Sequence, residues 1–111
     1  MSAEEIIAGM KQIIARVHQH GAKIYGATLT PYEGTTLHGF YQPAGEAKRE
    51  AVNAWIRSGG SFDAVIDFDG AVRDPDHPTR IRADYDVGDH LHPNDAGYRA
   101  MGDAVDLKLF E

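Results

Sequence analysis

Residues 86–92, Asp-Val-Gly-Asp-His-Leu-His, place two acids and two histidines within seven positions. Asp89 and His92 lie three residues apart. A carboxylate at that spacing can accept a hydrogen bond from one imidazole nitrogen, fix the tautomer and leave the other nitrogen free as a base. Such a base activates a serine hydroxyl, which is too weakly acidic to attack an ester unaided. A rival chemistry is metal binding. Asp86, Asp89, His90 and His92 offer mixed N/O ligands, and a His-x-His segment can face one ion. The set lacks a convincing third histidine, since His77 lies in a Pro-rich stretch and His38 in another loop. No resident metal or cofactor is therefore expected, and His90 is expected to face solvent with Asp86 as loop polarity. The plain alternative is that Asp89 and His92 only cap the helix that follows.

The rest of the chain bounds these options. Its 111 residues, 42% hydrophobic and 25% charged, suit one domain or part of one. The net charge of −6, with no Lys/Arg cluster, disfavours nucleic acid and anionic membrane surfaces. Cysteine is absent, which excludes disulfides and thiolate zinc sites. No apolar run is long enough for a membrane span. The acidic start MSAEEIIAGM is not a signal peptide, and the compartment stays open.

The elements that must carry the 86–92 segment follow from periodicity. Ser2-Ala3-Glu4-Glu5 has capping-box form, and Ile6, Ile7, Met10, Ile13, Ile14 and Val17 make one helical stripe. With Gly21 as its stop, this predicts a helix over about residues 3–20. Residues 22–29 are β-prone, and 32–44 form a loop. Ala47, Ala51, Ala54 and Trp55 mark a second helix ending at Ser58-Gly59-Gly60, with Trp55 expected as a core or interface anchor. Residues 64–68, Ala-Val-Ile-Asp-Phe, have the pattern of a buried parallel strand. Residues 69–91 are expected as a long irregular connection. Pro93 suits the first turn of a last helix with Tyr98, Met101, Val105 and Leu109 on its apolar face. Gly97 would let that helix pack closely. Alternation of helix and strand implies an α/β fold with a parallel sheet flanked by helices. Two strands make a poor parallel sheet, because both faces and edges need cover.

The segment DHLHPNDAGYRAMGDAV resembles the C-terminal block of the SGNH (GDSL-type) hydrolases, where Asp-x-x-His-Pro leads into a helix. Asp89, His92 and Pro93 match, followed by Asn94, Gly97 and Tyr98. Upstream, KIYGATLTPYEG is similar to the family's penultimate strand and exit loop, and FDAVIDFDGAVRDPDHPTRI to its last strand and acidic loop. The resemblance spans essentially the whole chain. It implies a three-layer α/β/α fold, flavodoxin-like, with a five-stranded parallel sheet. It also implies ester hydrolysis through an acyl-enzyme, without metal. His92 would be the general base and Asp89 its orienting acid.

The family's Gly-Asp-Ser nucleophile block has no counterpart here. The serines are Ser2, Ser58 and Ser61, and Gly88-Asp89-His90 has histidine in the serine place. The expectation is one partial domain over 1–111, the C-terminal half of the fold, inactive alone. It would act on a small-molecule ester when completed by an N-terminal segment. A different class of function is a noncatalytic module that self-associates to hide its sheet edge, with a weak His/Asp metal site at 86–92 as a third. Asp67-Phe68-Asp69-Gly70 looks like the start of a calcium loop but lacks the later ligands, so strand-end polarity explains it better. Tyr32, Phe40 and Tyr41 either line an acyl pocket or pack beneath their loop. Relatives in bacteria are often secreted or periplasmic. Acyl and alcohol specificity are not legible.

Overall fold

Helix α1 (Ala3–Gln19) is closed at both ends by the residues that the sequence supplies. The Ser2 hydroxyl accepts the Glu5 N–H at 3.1 Å and donates to the Glu5 carboxylate at 3.2 Å. At the other end Gly21 takes φ 72°, its N–H bonds the His18 carbonyl, and the Ala22 N–H bonds the Val17 carbonyl. These two reversed bonds satisfy carbonyls left free by the last turn, and the left-handed residue they require is glycine. The computed structural model describes all 111 residues.

Strand β1 (Tyr25–Ala27) pairs in parallel with β2 (Ala64–Ile66), with Gly26 opposite Val65. The ladder continues one bond beyond each end, from Asp63 N to Ile24 O at 2.9 Å and from Thr28 N to Ile66 O at 3.1 Å. The strands expected over 22–29 and 64–68 are thus shorter in fact. Helix α2 (Pro43–Ser58) connects them and packs on α1. The result is a small α/β domain with a parallel strand pair and helices. The second edge of β1 has no strand partner. Its buried apolar core is small: Ile14, Val52, Ile56, Val72 and Ile81. Ile13, in the predicted stripe of α1, is 57% exposed. Trp55 packs edge-on against Phe62 at 5.7 Å, in keeping with an anchoring role.

Much of what ties α2 to the strands is polar. Glu46, Arg49 and Asn53, spaced three and four apart, share one face of α2 and are all buried. Arg49 donates to Glu46, to the Leu29 carbonyl at 2.9 Å and to Asp69 at 2.8 Å. The Asn53 amide accepts from Leu29 N–H at 2.7 Å and donates to its carbonyl at 2.9 Å. Every buried side-chain polar atom has a partner, which is the condition under which such groups are tolerated inside. Asp67 caps helix α3 (Phe68–Val72) by accepting the Gly70 N–H at 3.0 Å. Burial pushes its carboxyl up, but Arg57, that N–H and Thr28 outweigh this and hold it at about 2. The strand-end acids are therefore structural.

Residues 69–91 are not the irregular connection expected from sequence. They hold the end of α3, then β3 (Arg73–Asp74) and β4 (His77–Ile81) in an antiparallel hairpin, then a 3-10 turn over Ala83–Tyr85. Asp74 closes the hairpin by accepting the Asp76 N–H at 2.9 Å. The hairpin was hidden because His77-Pro78-Thr79-Arg80-Ile81 shows no apolar alternation, and only Ile81 is buried.

The last helix also differs. Asn94 caps α4 (Asp95–Asp103), so Pro93 precedes the cap instead of lying in the first turn. Helix α4 stops at Asp103, and Leu109 belongs to a separate 3-10 turn over Leu107–Phe110. Tyr98 is 54% exposed, and the face turned inward carries Gly97. A Cβ on Gly97 would stand 2.6 Å from the Tyr85 carbonyl oxygen and 2.8 Å from Pro93 Cβ. The close packing expected of Gly97 is thus present, against the turn that leads into the 86–92 segment.

Candidate active site

The loop that carries Asp89 and His92 is closed at its base. Asp86 and Pro93 form an antiparallel bridge, Val87 N–H donates to the His92 carbonyl at 3.1 Å, and Asn94 N–H donates to the Tyr85 carbonyl at 2.8 Å. Within the loop, Asp89 Oδ1 accepts the N–H groups of Leu91 at 3.0 Å and His92 at 2.9 Å. Its Oδ2 lies 2.6 Å from His92 Nδ1. The imidazole bond, then the His92 and Leu91 N–H groups, hold the Asp89 carboxyl down at about 2. Hydrogen bonds to the charged form favour that form, so Asp89 is an anion aimed at one ring nitrogen. His92 is 62% exposed, and its Nε2 has no partner in the chain. The alternative that these two residues cap the last helix does not hold, since the cap is Asn94, whose side-chain oxygen accepts the Gly97 N–H at 2.9 Å.

A second pair stands beside the first. His90 Nδ1 lies 2.6 Å from Asp86 Oδ2, and the Asp86 side chain is only 4% exposed. Asp86 Oδ1 also accepts from Gly88 N–H at 2.7 Å and His90 N–H at 3.1 Å. Asp86 is therefore a buried anchor, and the His90 ring bonds to it while its side chain stays 44% exposed. The sequence signal was an Asp-x-x-x-His frame overlapping Asp-x-x-His, which spacing alone did not rank. The four side chains divide into two pairs, and no group of three or more converges as metal ligands would.

The 30–42 loop steadies this segment. Thr36 N–H donates to the Asp89 carbonyl at 3.0 Å. Glu33 Oε2 accepts from His77 at 2.7 Å, Thr79 at 3.1 Å and Arg80 at 2.8 Å, which fastens the loop to the β3–β4 hairpin. The Arg80 guanidinium leads these groups in lowering the Glu33 carboxyl. This clamp was not legible, because its partners are more than forty residues from Glu33. Tyr32 packs against Phe40 at 5.4 Å and Tyr41 at 5.2 Å. Tyr32 and Phe40 also line a groove of about 390 Å³ with Ile6, Leu29, Val52 and Leu91. The aromatic loop thus both packs on itself and walls an apolar groove that reaches the residue before His92.

Ser2 caps α1, and Ser58 donates to the Ala54 carbonyl at 2.7 Å. Ser58 and Ser61 precede β2, whereas the Asp89 loop rests on the segment that follows β1. In a parallel pair those are opposite ends.

No curated protein matches the sequence. Residues 1–100 match the family model described as GDSL-like lipase/acylhydrolase. That span takes in both strands of the parallel pair, α1 to α3, the Asp89–His92 pair and the first turns of α4, and the chain belongs to this family.

Proposed function

We propose that this chain supplies the acid–base half of a serine ester hydrolase. Asp89 orients His92, and His92 is the general base. The single observation that carries this reading is the 2.6 Å bond from His92 Nδ1 to Asp89 Oδ2, with Nε2 unpartnered. A neutral imidazole that gives its Nδ1–H to the carboxylate presents a lone pair at Nε2. That lone pair takes the proton of a serine hydroxyl as the oxygen attacks an ester carbonyl. The proton then passes to the departing alcohol, and water repeats the sequence on the acyl-enzyme.

The serine comes from a segment outside these 111 residues, since Ser2, Ser58 and Ser61 are engaged or lie at the wrong end of the strands. The chain is then the C-terminal half of a three-layer α/β/α domain, and the open edge of β1 is where the remaining parallel strands add. The test is turnover of a p-nitrophenyl ester, by this chain alone and after joining to a Gly-Asp-Ser segment encoded upstream. The expected result is no turnover alone, and turnover in the joined protein that His92→Ala removes. Turnover by the chain alone that His92→Ala abolishes would overturn the reading.

A second reading is a noncatalytic module that pairs with its own copy. It is favoured by the unpaired edge of β1 and by a groove of about 210 Å³ beside it, walled by Met10, Ile13, Ile24 and Phe62. Unpaired edges and apolar grooves of this kind favour association.

A further inference from the structure

His90 is the one non-glycine residue in the chain with a positive φ, at 54°. For an L-residue the left-handed region is sterically strained, although histidine enters it more readily than most. Such a residue persists where its surroundings over-determine it. Here they do. Asp86, itself buried, sits 2.6 Å from the His90 ring through Oδ2 and takes the His90 N–H at 3.1 Å through Oδ1. The Asp86 backbone is in turn bridged to Pro93, and its carbonyl accepts from the Asn94 amide at 3.4 Å. One side chain thus fixes the loop at 86, 88 and 90 and stands at its closed base.

What this fixes is the direction in which the chain leaves residue 90. Asp89 must reach forward to Leu91 N–H, His92 N–H and the His92 ring together. Those three bonds need residues 91 and 92 to fold back over 89, and the left-handed turn at 90 produces that reversal. If His90 relaxed to negative φ, Leu91 and His92 would swing away from the Asp89 carboxylate.

We propose that His90 is a positioning residue: its contact with Asp86 holds the left-handed turn that sets Asp89 against His92. This rests on Asp89–His92 being the acid–base pair. It assigns a task to a histidine whose ring is bonded to Asp86 and not to the Asp89 carboxylate. His90 acts through the backbone, and Asp86 acts through His90.

The experiment reads the ring nitrogens of His92 directly in this chain, by long-range ¹H–¹⁵N correlation at about pH 8, where an ordinary imidazole is neutral. Asp86→Asn keeps the side-chain shape but loses the anion beside the ring. His90→Gly removes the ring contact with Asp86 and leaves residue 90 free to take either sign of φ, so the chain folds but nothing pins the turn. The expected result is a single Nδ1–H tautomer for His92 in the wild type. In both variants it gives way to averaged tautomers, while circular dichroism and the thermal midpoint of His90→Gly stay at or above wild type. A merely structural histidine would show the reverse, a lower midpoint with His92 unchanged. If Asp86→Asn does not fold, His90→Gly decides alone. A His92 ring unmoved in His90→Gly overturns the positioning role and leaves the acid–base pair intact. A wild-type His92 without the Nδ1–H tautomer overturns the pair itself, and the positioning role with it.

Discussion

The Thr36 backbone N–H donates to the Asp89 carbonyl at 3.0 Å, so the loop leaving β1 holds the loop that carries His92. A main-chain bond of this kind is indifferent to the side chain at 36. Its geometry depends on Glu33, three residues earlier, being fastened to the β3–β4 hairpin. Glu33→Gln keeps the shape but removes the anion shared by His77, Thr79 and Arg80. The expected outcome is faster amide exchange at Thr36 and His92 with α1 and α2 unaffected, read by hydrogen exchange. Unchanged protection at both amides would contradict the coupling.

Gly97 touches the Tyr85 carbonyl where a Cβ would need 2.6 Å. The neighbour is backbone on one side and Pro93 on the other, so neither gives easily. Gly97→Ala should destabilise by about 1–3 kcal/mol, the usual range for overpacking, despite alanine's better helix propensity. Urea unfolding measures it. A gain in stability would mean that α4 does not sit on the turn as described.

Arg49 is buried between Glu46 and Asp69, whose side chains are also buried. Arg49→Met leaves the buried Glu46 carboxylate without its cation, while Asp69 keeps Arg57 at 2.6 Å and Arg73 at 2.9 Å. The expected loss is about 3–5 kcal/mol, as for other broken buried pairs. Arg82→Met, which parts an exposed pair with Asp84, should cost far less. Equal effects of the two changes in urea unfolding would argue against a closed network.

Asp89 has its carboxyl lowered from an ordinary 3.8 to about 2. A group depressed on folding contributes stability above its unfolded value and loses that contribution as pH falls through its folded value. The contribution of Asp89 is therefore full above about pH 4 and fades toward about pH 2. The Asp89 carboxyl carbon should titrate near the lower value by NMR. His92→Ala should move the midpoint up, since the imidazole is the largest cause of the shift. A midpoint that stays put in His92→Ala would show that the N–H groups of 91 and 92 suffice.

The open edge of β1 predicts association of the chain by itself, through added strands or a second copy. Light scattering across a concentration series should give a mass that rises above 12.2 kDa. A monodisperse monomer at high concentration would remove the self-associating reading and leave the hydrolase one untouched.

The sequence by itself determined the helices that announce both ends. Ser2 and Gly21 delimit α1 because their chemistry is local: a hydroxyl three residues from the N–H it accepts, and a residue free to turn left-handed. Asp89 and His92 were legible for the same reason, since three residues separate them and the bond between them closes within one turn of chain. The alternation of helix and strand carried the fold class, a small α/β domain with a parallel strand pair. The tertiary structure decided what depends on distant partners. Glu33 finds Arg80 across the molecule, Thr36 finds Asp89, and the polar face of α2 finds Leu29 and Asp69. The hairpin at 73–81 has no periodic signature, because it is held by one buried isoleucine, by its own backbone bonds and by the distant Glu33. Asp86 and His90 lay in plain sight as letters. Only burial of the one and the left-handed turn of the other separated an anchor from loop polarity, and neither burial nor φ is written in local spacing.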